Sequence, residues 1–591
     1  MKFPTLPAPN TTRTKIDVFG GYNHNLKIND NEFYDMRNMS SDYFPLLSAR
    51  KQRGVYAIPT NLKGLVAKDK LCYLADNSFV KSEIVNGELV TESQEISLTD
   101  GAKKLVSLGA YVIILPDKKY INSGNLADYG DIDFTTTQTG LRFSMCTILG
   151  AKYDITNIGA EPPTIPEDKS PLYWIDTSSS PHSLKQYSYA NETWNTIATS
   201  YIKIKAEDAT AFSGFNEYDG IKISGITDES LTDLNGSATV YLKGEDYIVV
   251  SGLLKETKTL EEAVTFSRTM PDLDFVIESN NRLWGCRYYT DESGNTYNEI
   301  YASKLGDFKN WDSFLGVSTD SYRVSVGTNG AFTGAIAHLG YPIFFKENYL
   351  HKIYGTQPSN YSVQTTACRG VQKGCGKSLA IVNEVLYYKS LSGVCAYDGS
   401  LPVEVSSELG DIVYYNASAG AHGNKYYISM CDKDNNYSLF VYDVAKRLWH
   451  KEDDSHILEF CSYENELYFI NSDFGEIKTM FGYGLNPKEE RTSIDWMVET
   501  GTMGFDTPDK KYVSNITIRL DLDFGSRIYM YIQYDSSGVY VPVCTLNGKN
   551  LKSVSVPIRP ERCDHFRLKI VGYGYSKIYS ITKTLEDGSE R

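Results

Sequence analysis

One feature limits the possible folds of this chain more than any other. Along its 591 residues, an apolar run, a polar turn and a second apolar run recur seven times. The units are "GLVAKDKLCYLADNSFV" (Gly64 to Val80), "LGAYVIILPDKKYIN" (Leu108 to Asn122), the hairpins in Phe275 to Trp311 and His338 to Gly355, "NEVLYYKSLSGVCAYDG" (Asn383 to Gly399), His422 to Lys451, and "YENELYFINSDFGEIKTMFG" (Tyr463 to Gly482). Apart from the gap before Phe275 they are spaced by roughly 40 to 65 residues, a period at which each unit supplies several short strands and buries its apolar face only against its neighbours. The expected fold is therefore all-β, a β-propeller of about seven blades. The 45 Tyr and 46 Gly agree, because aromatic side chains suit pleated surfaces and glycine suits tight turns. A β-sandwich or a set of unrelated meanders would show the same hairpins, since hairpin periodicity does not fix closure.

Two stretches depart from the repeat. Residues 141–272 contain the Pro- and Ser-rich "GAEPPTIPEDKSPLYWIDTSSSPHS" near their start and read as a small β module inserted at a loop tip, where insertions are tolerated. From Ser493 the chain alternates nearly strictly over several strands through "SIDWMVETGTMGF" and "SNITIRLDLDFGSRIYMYIQYDSSGVYVPV", which suits a C-terminal β-sandwich. The expected organisation is an N-terminal arm and first propeller strand (1–59), propeller (60–140), insert (141–272), propeller (273–490) and sandwich (491–591).

Charge narrows the partners. A formal net charge of -15 argues against a broad phosphate-binding surface, whereas an acidic wall beside DNA lets the polymer slide without sticking. The ten Cys are scattered with no metal-ligand spacing, so free thiols in a reducing compartment are expected. The N-terminus has no apolar core of a secretory signal, and no apolar run is long enough to span a bilayer. Synthesis in the cytoplasm is the expectation.

Motifs with chemistry are weak. "GVQKGCGKS" (Gly370 to Ser378) has a phosphate-loop look, but Val371 stands where the first glycine belongs. Asp432, Asp434, Asn436 and Asp443 fall at calcium-loop offsets, yet Tyr437 occupies the glycine position, so a polar hairpin turn is expected. His450 and His456 lie near Asp453 and Asp454, as in a solvated loop. There is no helical His pair and no serine-nucleophile elbow. Paired carboxylates at a propeller mouth would make a glycosidase, a class that sequence leaves open. No catalytic, cofactor or metal residue is assigned, and the expectation is a chain that is not an enzyme and needs no cofactor.

The stretch from Phe19 to Gly54 is rich in turn formers (Asn23, Asn25, Asn29, Asp30, Asn31) and reads as an arm or strand that closes the propeller. Its pattern is carried by Phe19, Gly21, Asn23, Glu32, Asp35, Asn38, Asp42, Pro45, Leu47, Arg50, Arg53 and Gly54. It resembles the N-terminus of bacteriophage tail nozzle, or packaged-DNA stabilisation, proteins. "NNRLWGCRY" with "EIYASKLGDFKNW" (Asn280 to Trp311) is similar to a propeller blade of that family, and "ETGTMGFDTPDKKYVSNI" with "RCDHFRLKIVGYG" to the closing domain of phage virion proteins. The resemblance implies a structural component of the virion tail, a nozzle or head-to-tail completion ring. Copies of the chain, sixfold by resemblance, would contact other tail or connector proteins, and genome DNA would pass without specific binding. It also implies that Gly21, Asn23, Asn38, Arg50, Arg53, Asn281, Arg282 and Trp284 are structural. Arg50 and Arg53 would pair with carboxylates within the chain or on a neighbouring subunit. The competing expectation is a tail receptor-binding or baseplate protein whose Tyr-rich loops stack host cell-wall glycans.

Overall fold

The computed structural model describes residues 10–472, 475–482, 494–506, 509–548, 552–559 and 561–587. The outer ends of the expected arm and sandwich, and the junction near 490, lie outside the described residues. The fold is all-β; among the described residues the only helical turns are short 3-10 segments, and no helix is long and apolar enough to cross a membrane.

Seven four-stranded sheets are the blades. In chain order they span 62–95, 104–131, 275–325, 334–367, 380–404, 415–451 and 457–479. The fold class is the β-propeller expected from the repeat. The seventh sheet has only three strands of its own and takes its fourth from the N-terminal segment: Gly54–Ala57 pairs antiparallel with Glu476–Thr479. A strand brought from far along the chain covers the edge that a three-stranded blade would leave open. Local chemistry builds the hairpins. Asn280 and Asn281 both adopt positive φ between the paired strands Phe275–Ser279 and Arg282–Thr290, as a two-residue turn of this hand requires. Asp291 and Asp432 each cap a five-residue turn, with the amides and side chain of Asn295 and Asn436 donating to their carboxylates.

Between the second and third blades lie three further sheets, bounded by Phe134–Gln138 and Val264–Arg268. They share a core of their own that includes Phe143, Phe212, Ile223, Ile248 and Phe266. Contacts divide the chain into two compact units: residues up to 105 with 330–352 and 365 onward, and residues 106–329 with 353–364.

The C-terminal β-sandwich, in the first unit, is not built from C-terminal residues alone. Its five-stranded sheet runs Phe33–Arg37, Asp495–Thr500, Phe566–Tyr573, Arg527–Tyr534 and Val541–Asn547. Its seven-stranded sheet contains Thr11–Ile16, Met39–Ser40 and Leu47–Ala49 beside Ser576–Asp587 and Lys511–Leu522. Alternation along residues 516–522 and Phe566–Tyr573 turns every second side chain inward, so Ile516, Ile518, Leu568 and Ile570 meet Trp496 in one core. The segment expected as a propeller arm thus supplies four strands to the sandwich and only Gly54–Ala57 to a blade. The arm's alternation is too short to reveal which sheet it joins.

Candidate functional site

The eight positions expected to be structural fall into two groups. Five are on the N-terminal segment. Gly21 has φ near +85°, and a Cβ there would lie 2.5 Å from the Trp449 carbonyl oxygen. That close approach lets the Tyr22 amide donate to the Trp449 carbonyl at 2.7 Å. The Asn23 side chain accepts from the Asn25 amide and side chain, while Asn25 Nδ2 also donates to the Ser407 carbonyl at 2.9 Å. Asn38, at positive φ, donates through Nδ2 to the Asp495 carbonyl at 2.7 Å and through its amide to the Glu452 carbonyl. Its Oδ1 accepts from Arg50 Nε at 2.7 Å.

Arg53 is buried in the same joint. Its guanidinium donates to Glu452 Oε2 at 2.7 Å, to the Asp453 carboxylate and to Ser455 Oγ at 3.1 Å. The Arg53 and Glu452 side chains are each only 8% exposed, so the charges meet away from water. Arg50 approaches Asp453 at 3.9 Å. Burial by itself would raise the Asp453 carboxyl, but Arg53, Arg50 and the Ser455 hydroxyl and amide together hold it below the usual range. Both arginines therefore pair inside their own chain, and neither is left for a carboxylate of a neighbouring subunit. The expected solvated loop around His450 and Asp453 is corrected as well: His450 is buried, and burial pushes its imidazole down to about 3.

The other three positions are in the second unit. Asn281 takes one place of the two-residue turn, its amide donating to Glu278 Oε1 at 2.9 Å. Arg282, 1% exposed, donates to the carbonyls of Ser303 at 2.8 Å and Ser318 at 2.7 Å, and also to that of Asp320. Its buried guanidinium is satisfied by these backbone carbonyls in place of a carboxylate. Trp284 is buried against Tyr361 and Tyr322.

The same N-terminal segment walls a cleft of about 690 Å3 in the first unit, beside the sixth blade. Tyr22, His24 and Asp35 form one side, and Tyr414, the turn from Asp432 to Ser438, Lys451, Asp454 and His456 form the other. The hairpin turn and the loops before and after the sixth blade all arrive from one end of its strands, so residues far apart in sequence converge. Tyr437 and His456 stack face to face at 3.6 Å between centroids. His24 stacks on Tyr34 at 4.2 Å and shares a hydrogen bond of 2.8 Å with the Tyr34 carbonyl. Lys451 stands between two carboxylates, 3.9 Å from Asp35 and 3.7 Å from Asp454. Hydrogen bonds from the Asn436 side chain and amide, and then from the Asp434 amide, hold Asp432 below the usual carboxylate range. Burial pushes the Tyr22 and Tyr414 hydroxyls well up, so both are neutral donors at ordinary pH.

Asp432, Asp434 and Asn436 make the hairpin turn expected of them, while Asp443 sits at the far end of the strand Tyr437–Asp443, accepting from Ser41 and Lys446. Among the described residues no group of three or more His, Cys, Asp or Glu side chains is placed to share a metal ion. In "GVQKGCGKS", the Gly370, Gln372, Cys375 and Ser378 amides donate to carbonyls within the chain, and a Cβ on Gly370 would meet the Lys346 carbonyl at 1.8 Å. That glycine serves backbone packing. All ten cysteines are free thiols.

No protein-family model matches the chain, and no curated protein matches it. Solved structures do. An exo-β-1,3-galactanase from Phanerochaete chrysosporium, with galactose, is 9% identical, covers 52% of this chain and 94% of its own, and has a TM-score of 0.21. A GH43 glycoside hydrolase engineered to show both endo-xylanase and exo-arabinofuranosidase activity is 10% identical over 53% of this chain and 96% of its own, with a TM-score of 0.19. A bifunctional GH43-CE protein of Bacteroides eggerthii is 9% identical over 53% and 62%, with a TM-score of 0.20. The expectation that the chain is not an enzyme is corrected by these neighbours, which are glycoside hydrolases, and it is not retained. Likeness of this degree assigns no catalytic residue.

Of the cleft residues, sequence marks Asp432 and Asn436 as turn formers beside Tyr437 and sets His456 near Asp454 in one loop, but it gives no link from these to Asp35, His24, Tyr414 or Lys451. Only the matching five-residue turns at Asp291 and Asp432 carried a local signal, and that signal marks a turn, not a site.

Proposed function

We propose that this chain is a structural subunit of a bacteriophage tail, part of a nozzle or completion ring that lines the DNA path and helps retain and release the genome. The supporting observation is the joint. Gly21, Asn23, Asn38, Arg50 and Arg53, which carry the resemblance to tail nozzle proteins, fasten the N-terminal segment to the sixth blade and the sandwich. A buried, multiply bonded joint between two β domains resists the shear that a conduit wall bears, because its donors and acceptors must all be lost together. The net charge of -15 suits a wall that DNA passes without adhering. The ring itself, sixfold by resemblance, would use heterologous faces elsewhere on the surface.

The test pairs native mass spectrometry and two-dimensional electron-microscopy classes of the purified chain with particles made without it. A closed ring, and particles that lose their DNA, support the reading. A monomer, together with full particles that keep their DNA, overturns it.

A further inference from the structure

The cleft beside the sixth blade is distinct from the joint, and its chemistry is independent of the virion reading. Its volume of about 690 Å3 fits one or two sugar rings. One aromatic surface is half-exposed in it, the Tyr437–His456 stack, while Tyr22 and Tyr414 are buried and pack on Phe440 beneath. Such a stack holds the C–H face of a pyranose, while carboxylates, amides and hydroxyls around it bond the sugar's rim. Charge then selects among sugars. Three carboxylates, Asp35, Asp432 and Asp454, face a single lysine, and Lys451 is already shared between two of them. The surplus is negative, which repels uronic acids and phosphates and attracts an ammonium group.

We propose that this cleft binds an amino sugar carrying a free, protonated amine, its ring against the Tyr437–His456 stack and its ammonium on the exposed side of Asp454.

The experiment is titration calorimetry on the full chain with four probes: the glucosamine disaccharide, its N-acetylated form, a glucuronic-acid disaccharide and lysine amide. The expected result is saturable binding of the glucosamine disaccharide, at least about fivefold tighter than the acetylated form, with the uronic acid weaker still. Asp454, 73% exposed, is replaced without burying a charge, and Asp454→Asn is expected to weaken the glucosamine disaccharide several-fold while leaving the acetylated form unchanged. Tyr437→Ala is expected to weaken both sugars, with an unchanged circular dichroism spectrum showing that the chain still folds. Absence of saturable binding, equal affinity for the uronic acid, or no effect of Tyr437→Ala in a folded protein would overturn the proposal. Lysine amide binding as tightly as the disaccharide would overturn it too, since the site would then read charge alone. A failure here leaves the ring and genome-retention measurements untouched.

Discussion

Replacing Arg53 with Met tests how the joint holds the N-terminal segment. The substitution keeps most of the apolar stem and removes the guanidinium from Glu452 at 2.7 Å, from Asp453 and from Ser455. Glu452 is then a buried carboxylate without that cation, and Asp453 keeps the more distant Arg50 at 3.9 Å and its bonds from Ser455. Breaking a buried pair from one side costs about 3–5 kcal/mol, or roughly two to three and a half powers of ten in a local opening equilibrium. Hydrogen exchange reads that opening at the amides of Gly54–Ala57, which are protected by pairing with Glu476–Thr479. The dependence on pH has a definite sign. In the parent, Asp453 is held low, so its contribution is present above the ordinary carboxylate range and is lost as pH falls toward the depressed value. In the variant, burial without Arg53 raises the Asp453 carboxyl, so the cost is full at neutral pH and is relieved as pH falls. The deficit is therefore expected to shrink between pH 7 and pH 5. An increase in exchange below tenfold, or a deficit that stays constant or grows on acidification, would refute the reasoning.

Gly21→Ala forces a Cβ into the Trp449 carbonyl at a residue with φ near +85° and is expected to cost about 1–3 kcal/mol, read as faster exchange of the Tyr22 amide. His450, held neutral by burial with its pKa moved from 6.5 down to about 3, binds a proton more readily in the unfolded chain. Its contribution is full above about pH 6.5 and falls by about 2 kcal/mol by pH 5. In urea midpoints followed by pH, His450→Gln is expected to flatten that slope, and an unchanged slope would show that His450 does not drive it.

What was legible in the sequence was local. The period of the hairpins predicted seven blades because each hairpin is written by its own turn residues: Asn280 and Asn281 at positive φ, and Asp432 bonded to Asn436 four residues on. Near-strict alternation over several strands from Ser493 revealed the sandwich, because a period of two is a property of the strand itself. The N-terminal segment shows the limit. Its turn formers were evident, yet whether its strands join a blade or the sandwich depends on edges offered by residues more than four hundred positions away, such as Glu476–Thr479 and Asp495–Thr500.

The charged positions follow the same division. Sequence supplied Arg50, Arg53, Glu452 and Asp453, and only folding decided that they meet inside one chain, out of water. Asp35, Tyr414, Asp432 and His456 became a cleft only when four separate segments converged at one end of the sixth blade. Hydrogen bonds between neighbours along a chain form whatever the rest does, so sequence alone determined the turns and blades. The tertiary structure decided the joint and the cleft, because burial and convergence exist only once distant strands have paired.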